Sequence, residues 1–178
     1  MKQVNDRSHV RPISVADRFR TDLHHRSTLI NELYFLHQRT ASLMSSIATR
    51  ETHRPLRDLL QDQTVVDQYI AGRLRSVASE HGMPPGPSAN LSSTAVLEEV
   101  RHTDRDRSIA HQRPIALRNA LRSLRLHAIR SWSELLDALD DDHQSGLRKE
   151  ILTLQTLEAD QYRALSKFGH SDQSGAPW

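Results

Sequence analysis

Three side chains of types that bind metal fall at spacings that turn them toward one interior: His37, His127 and Glu158. Two imidazoles and a carboxylate make a ligand set suited to Zn(II) or Fe(II), with manganese also possible if more oxygen ligands join. They do not stand alone, because Gln63 interrupts another apolar seam and Tyr34 and Tyr162 lie close by. Polar groups placed independently in an apolar interior would each be costly, so their recurrence on separate segments predicts one shared layer. Two readings of that layer stand side by side. One is a hydrogen-bonded network that sets helix register and leaves nothing reactive. The other is a single metal held by His37, His127 and Glu158, and the first is preferred, so no cofactor is the leading expectation.

Other constellations carry less. Arg118, Arg122 and Arg125 form a basic stripe at helical spacing that could lie along phosphates. The mixed sequence Asp104-Arg105-Asp106-Arg107 before it and the lack of neighbouring aromatics favour a solvated face, so nucleic acid is the least favoured partner. Glu99 and His102 make the one Glu-x-x-His of the chain, without a second pair to complete a site. Cysteine is absent, which excludes disulfides and thiol chemistry. No Gly-x-Ser-x-Gly and no glycine-rich phosphate loop occurs, so no catalytic residue is assigned.

The elements that must position these groups read as long amphipathic helices. Val15, Phe19, Leu23, Leu29, Leu33, Leu36, Leu43 and Ile47 follow helical steps, with a second seam at Ile30, Tyr34, His37, Ala41, Met44 and Ala48. Pro55 interrupts the pattern, and Leu56, Leu60, Gln63, Val66, Ile70, Leu74 and Val77 share the next face up to Gly82. This predicts a first antiparallel hairpin over about 15–80. The run Gly82-Met83-Pro84-Pro85-Gly86-Pro87-Ser88 opens a crossover, 82–114, in which Ser93 precedes a short helix around Ala95–Val100. Leu117, Leu121, Leu124, Ala128, Trp132, Leu135 and Leu139 form a third long helix. It turns at Asp140–Gly146 into a fourth carrying Leu147, Ile151, Leu154, Glu158, Tyr162 and Leu165. The second hairpin therefore covers about 115–168, and residues 1–14 and 169–178 are expected to be flexible ends. A faint repeat supports two hairpins: Leu36-His37 with His53 matches Leu126-His127 with His143, and Asp67-Gln68-Tyr69 is echoed by Asp160-Gln161-Tyr162.

The stretch Leu33-Tyr34-Phe35-Leu36-His37-Gln38-Arg39, then Leu43, Met44 and Ala48 and His53-Arg54-Pro55-Leu56, resembles the first hairpin of the YciE/YciF family of ferritin-like bacterial stress proteins. That family pairs a Leu-Tyr-x-x-Glu motif with a Pro-x-Leu entry into the second helix, and the likeness continues more loosely over Ile115 to Phe168. The resemblance implies a ferritin-like four-helix bundle of 15–168. It also implies that His37 replaces a metal-binding Glu, and that Val66 and Ile70 stand where a carboxylate and a Gln or His would bind. Only Glu158 keeps a carboxylate, with His127 displaced by one residue. A di-iron centre of this type needs about four carboxylates and two histidines. The metal centre is therefore expected to be largely lost.

Length and composition agree with a helical domain: 178 residues, 37% apolar and 26% charged, six glycines, and 24 Lys+Arg against 22 Asp+Glu. No run approaches the roughly 20 apolar residues of a membrane span, and the polar start Met1–Arg7 has no secretory core, so a cytoplasmic location is expected. The resulting expectation is a non-catalytic, stress-associated bundle acting by self-association or partner binding. A homo-oligomer, simplest as a dimer, fits the family and apolar residues expected outside the seams, such as Ile129. A metal-binding oxidase or storage protein and a nucleic-acid-associated bundle are the alternatives.

Overall fold

A computed structural model describes residues 15–83, 91–106, 108, 112–139 and 145–168. Among these residues there are five α-helices and no strand: α1 (Val15–Ala48), α2 (Arg54–Glu80), α3 (Leu91–Arg105), α4 (Arg113–Ala138) and α5 (Ser145–Phe168). The ends at 1–14 and 169–178, residues 84–90 of the glycine- and proline-rich stop, and residues 140–144 of the acidic turn lie outside the described residues.

Local chemistry sets the first hairpin. α1 ends without proline or glycine, and the backbone tightens through Arg50 N–H to the Ile47 carbonyl and Glu51 N–H to the Ala48 carbonyl. Glu51 Oε1 then accepts the His53 N–H at 2.9 Å. Pro55 sits in the first turn of α2, where its missing N–H has no helical partner to lose. α2 closes on Gly82 with φ at 66°, the left-handed conformation that glycine adopts without strain. There Met83 N–H reaches the Ala78 carbonyl and Gly82 N–H the Ser79 carbonyl, which satisfies two end carbonyls, and Met83 folds back into the core.

α1 packs along α2 and α4 along α5. α1 also meets α4, and α2 meets α5, so four helices surround one core, while α3 lies against α4 and α1. Ile30, Leu33, Leu60, Leu74, Leu117, Leu121 and Ile151 fill it, with Trp132 the largest fully buried side chain. Contacts at the ends give the directions. Arg26 of α1 donates to the carbonyl of Ala138 at the far end of α4 at 2.8 Å, and Arg113 in the first turn of α4 reaches Glu51 just past α1. α1 and α4 are therefore antiparallel. Arg73 pairs with Glu150, and the His53 ring meets Phe168 edge-on with centroids 6.1 Å apart, so α2 and α5 are antiparallel too.

Two positions depart from expectation or need explanation. Ile129, expected outside the seams, is half-buried on α4. Gly72 lies in the middle of α2, exposed, where a glycine costs about 1 kcal/mol relative to alanine. A Cβ there would meet nothing within 4 Å, so no described residue requires its side chain to be missing. No helix of the described residues is long and apolar enough to cross a membrane.

Candidate functional site

Midway along the bundle each of its four long helices turns a polar side chain inward. His37 comes from α1, Gln63 and Asp67 from α2, Arg125 from α4 and Glu158 from α5, and all five are essentially inaccessible to solvent. Their helical positions explain the convergence. Asp67 lies seven residues after Leu60 and seven before Leu74, and Arg125 falls between Leu121 and Ala128 on one stripe, so both share the face of buried apolar neighbours.

Arg125 organises the cluster. Its Nη1 donates to Asp67 Oδ1 and its Nη2 to Asp67 Oδ2, each at 2.8 Å, the two-pronged geometry in which guanidinium and carboxylate bind most strongly. Nη1 also reaches Glu158 Oε2 at 3.2 Å and Oε1 at 3.4 Å. Nη2 donates to Gln63 Oε1 at 3.1 Å and contacts Met44 Sδ at 3.6 Å. Gln63 in turn donates from Nε2 to the Gln161 carbonyl at 3.2 Å, tying α2 to α5. His37 Nδ1 donates to Asp67 Oδ1 at 2.7 Å and lies 3.9 Å from Glu158 Oε2. The His37 ring tilts against Trp132 at 5.7 Å between centroids, and its Nε2 has no hydrogen-bond partner among the described residues.

The two carboxylates are driven in opposite directions. Burial pushes Asp67 up, but Arg125 and the hydrogen bond from His37 outweigh it and hold the carboxyl below its usual range. Burial pushes Glu158 up as well, and here Arg125 and His37 do not offset it, so Glu158 is held above its usual range. The geometry supports this split, because the shorter, forked bonds of Arg125 go to Asp67 while Glu158 gets longer ones. Burial opposes the charge on Arg125, yet Asp67 and Glu158 together raise its affinity for the proton. One guanidinium serves two buried carboxylates, and a dry interior opposes a second uncompensated negative charge there, the direction in which burial drives Glu158.

The expected polar layer is thus assembled in part. His37, Gln63 and Glu158 meet, joined by Asp67 and Arg125. The second helix does carry an inward carboxylate, at Asp67, one residue beyond the Val66 position that the resemblance assigns to it. Val66 is half-buried against the core and Ile70 fully buried in it. Tyr34 lies half-buried on an outer groove. Tyr162 accepts a hydrogen bond on its hydroxyl from Arg122 at 3.0 Å, at the α4/α5 surface. His127 is also elsewhere: its Nε2 hydrogen-bonds Ser93 Oγ at 3.0 Å, and burial lowers its pKa. Ser93 is therefore a buried partner within α3 and not the cap of a helix that begins after it, since α3 starts at Leu91.

These positions correct the expected metal trio. His37 and Glu158 are joined by Asp67 in place of His127, and one ligand atom from each of the three lies within 4.8 Å of the others. Arg125 Nη1 already stands within hydrogen-bond reach of both carboxylates. A divalent cation would have to share that space with a positive charge, so the residues present do not fit a metal while Arg125 holds this position. The basic stripe is corrected too. Arg125 points into the core, Arg118 is half-buried and Arg122 is bound to Tyr162, so the three do not form one exposed face. All five members of the cluster are closed off from solvent.

No protein-family model, no curated protein and no solved structure matches this chain.

Proposed function

We propose that this chain is a non-catalytic, ferritin-like bundle that acts by self-association, its centre closed by a buried guanidinium where metal-dependent bundles of this shape bind their ions. The observation that carries the reading is Arg125, fully buried and forked onto Asp67 while also contacting Glu158 and Gln63. A positive side chain supplies the counter-charge that inward carboxylates need, and it leaves no open coordination position. The end contacts support the ferritin-like topology. α2 finishes beside the start of α5 and α4 starts beside the end of α1, so the chain between α2 and α4, which includes α3, must return along the bundle. A stress-associated role and a cytoplasmic setting rest on the resemblance to the YciE/YciF family.

A second reading is favoured by one observation, the proximity of ligand atoms on His37, Asp67 and Glu158. In it, Arg125 swings aside and the three side chains hold iron, zinc or manganese. Elemental analysis of protein purified without chelator separates the two. The expected result is metal far below one equivalent, with Arg125→Ala taking up more divalent metal than wild type. Near-stoichiometric metal that disappears in His37→Ala would overturn the first reading and establish the second.

A further inference from the structure

Half-buried arginines in this protein are matched to a carboxylate or a backbone carbonyl. Arg57, Arg73, Arg101 and Arg113 reach carboxylates, and Arg26 and Arg148 reach carbonyls at the end of α4. Arg118 and Arg122 are the exceptions among the described residues. Both are half-buried and neither forms an ion pair, and the Nε of each is shut off from solvent without a hydrogen-bond partner. Buried N–H groups of this kind nearly always find an acceptor. The two also stand four residues apart on one side of α4, where like charges repel.

Tyr162 of α5 adds a third unmet donor. Arg122 Nη2 donates to its hydroxyl at 3.0 Å, and the guanidinium carbon lies 5.4 Å from the ring centroid. The hydroxyl oxygen is therefore an acceptor here, and its own hydrogen goes to no acceptor among the described residues. The bond from Arg122 lowers the Tyr162 pKa, which makes the O–H a stronger donor. No carboxylate of α5 competes for these groups. Glu150 is paired with Arg73, Glu158 is turned into the buried centre, and Asp160 is held by Arg163 at 3.0 Å.

We infer that Arg118, Arg122 and Tyr162 form a binding site for a phosphate group at the α4/α5 edge, apart from the buried centre. Water could accept some of these hydrogens, but it would leave two positive charges side by side. An anion meets both needs. The planar fork of a guanidinium matches the spacing of phosphate oxygens, and a phosphate has an oxygen for each of the three donor groups, where a carboxylate has only two. Half-burial strengthens the attraction by keeping part of the solvent away. Arg125 lies on the inward face of the same helix and takes no part. The site does not depend on the self-association proposed above.

Calorimetric titration of the full chain with inorganic phosphate, at constant ionic strength, tests this site. One equivalent is expected to bind with a Kd of ~1 mM or tighter, the affinity that two or three charge-assisted hydrogen bonds supply. Arg118→Gln and Arg122→Gln should each weaken binding at least ~10-fold, and Tyr162→Phe about 3-fold, with unchanged helical circular dichroism. Arg130→Gln, at an exposed position further along α4, should leave it unchanged. In wild type the Nε–H resonances of Arg118 and Arg122 should move more than those of any other arginine as phosphate is added, which reads the site without a substitution. Phenyl phosphate separates the two sources of the group, and either order supports the site: tighter binding than inorganic phosphate places the group on a larger molecule, and weaker binding marks the free anion. Absence of binding at ~10 mM phosphate, equal binding of chloride, or binding indifferent to both arginine substitutions overturns the site.

Discussion

Arg125 in the middle of the bundle and Arg113 at its end each bridge two carboxylates, and the two clusters differ in the positive charge set against them. At the end, Arg113 donates to Glu51 Oε2 and Asp104 Oδ1, both at 2.6 Å, and Arg50 adds a second guanidinium on Asp104 Oδ2 at 2.9 Å. Two positive side chains meet two negative ones, and Arg50 stays 57% exposed. In the middle there is one guanidinium for two carboxylates, and no solvated arginine can reach. Burial there raises the Glu158 carboxyl, which favours its protonated form, while Arg125 and His37 hold Asp67 below its usual range. Access to water separates them: a long, partly hydrated arginine is available at the rim, whereas inside, burial acts on the carboxyls themselves.

Removing each arginine measures that difference. Arg125→Met leaves Asp67 buried and charged without its partner, and the expected loss is about 3–5 kcal/mol of unfolding free energy in urea denaturation. Replacing Arg125, Asp67 and Glu158 together with apolar residues of similar volume should recover most of that loss, because the penalty lies in the orphaned charge and not in missing attraction. If Arg125→Met cost no more than a surface substitution, the centre would not be the tightly closed cluster described.

How far the sequence revealed these regions follows the same line. His37, Gln63 and Glu158 stand out because neutral or acidic polar residues interrupt apolar seams, and the four long helices are legible from their spacing. Asp67 and Arg125 carry the same positional signal, since Asp67 is seven residues from both Leu60 and Leu74 and Arg125 follows Leu121 by four. They escaped because lone aspartate and arginine side chains are nearly always solvated, and Arg118 and Arg122 supply a surface pattern into which Arg125 fits. Each becomes tolerable in the core only with the other present. That pairing joins residues 58 positions apart on diagonal helices, and helical spacing within one segment carries no trace of it. His127 failed in the opposite sense: its register allowed an inward direction, but α3 packs over it and supplies Ser93 as a partner.

At the rim the expected effect is smaller. Arg113 is 23% exposed and burial opposes its charge, but Asp104 and Glu51 outweigh this and raise its pKa. Arg113→Gln should cost about 1–3 kcal/mol, because the carboxylates it frees are only 3% exposed but Arg50 still serves Asp104 and the His53 N–H still serves Glu51. The cost should shrink as salt is added, since partly exposed pairs are screened. Urea denaturation at low and high ionic strength checks this. A loss equal to that of Arg125→Met, or one insensitive to salt, would erase the distinction between the two clusters.

The smallest effect at neutral pH, and the most diagnostic, belongs to Glu158. A carboxyl whose folded pKa is raised stabilises fully below its unfolded value, near ~4.3, and that contribution is lost as pH rises through the folded value. Asp67, held low, behaves oppositely: its contribution is present above the unfolded value near ~3.9 and is lost as pH falls through the folded one. Glu158→Gln keeps an acceptor for Arg125 and removes the titration, so at pH 5 its stability should lie within about 1 kcal/mol of wild type. As pH rises above the unfolded value near ~4.3 and through the folded one, wild type should lose stability relative to Glu158→Gln, because Glu158 gives up its proton in a site where Arg125 already serves Asp67. A difference between the two proteins that stays constant from pH 4 to pH 9 would mean that the Glu158 carboxyl is not raised on folding.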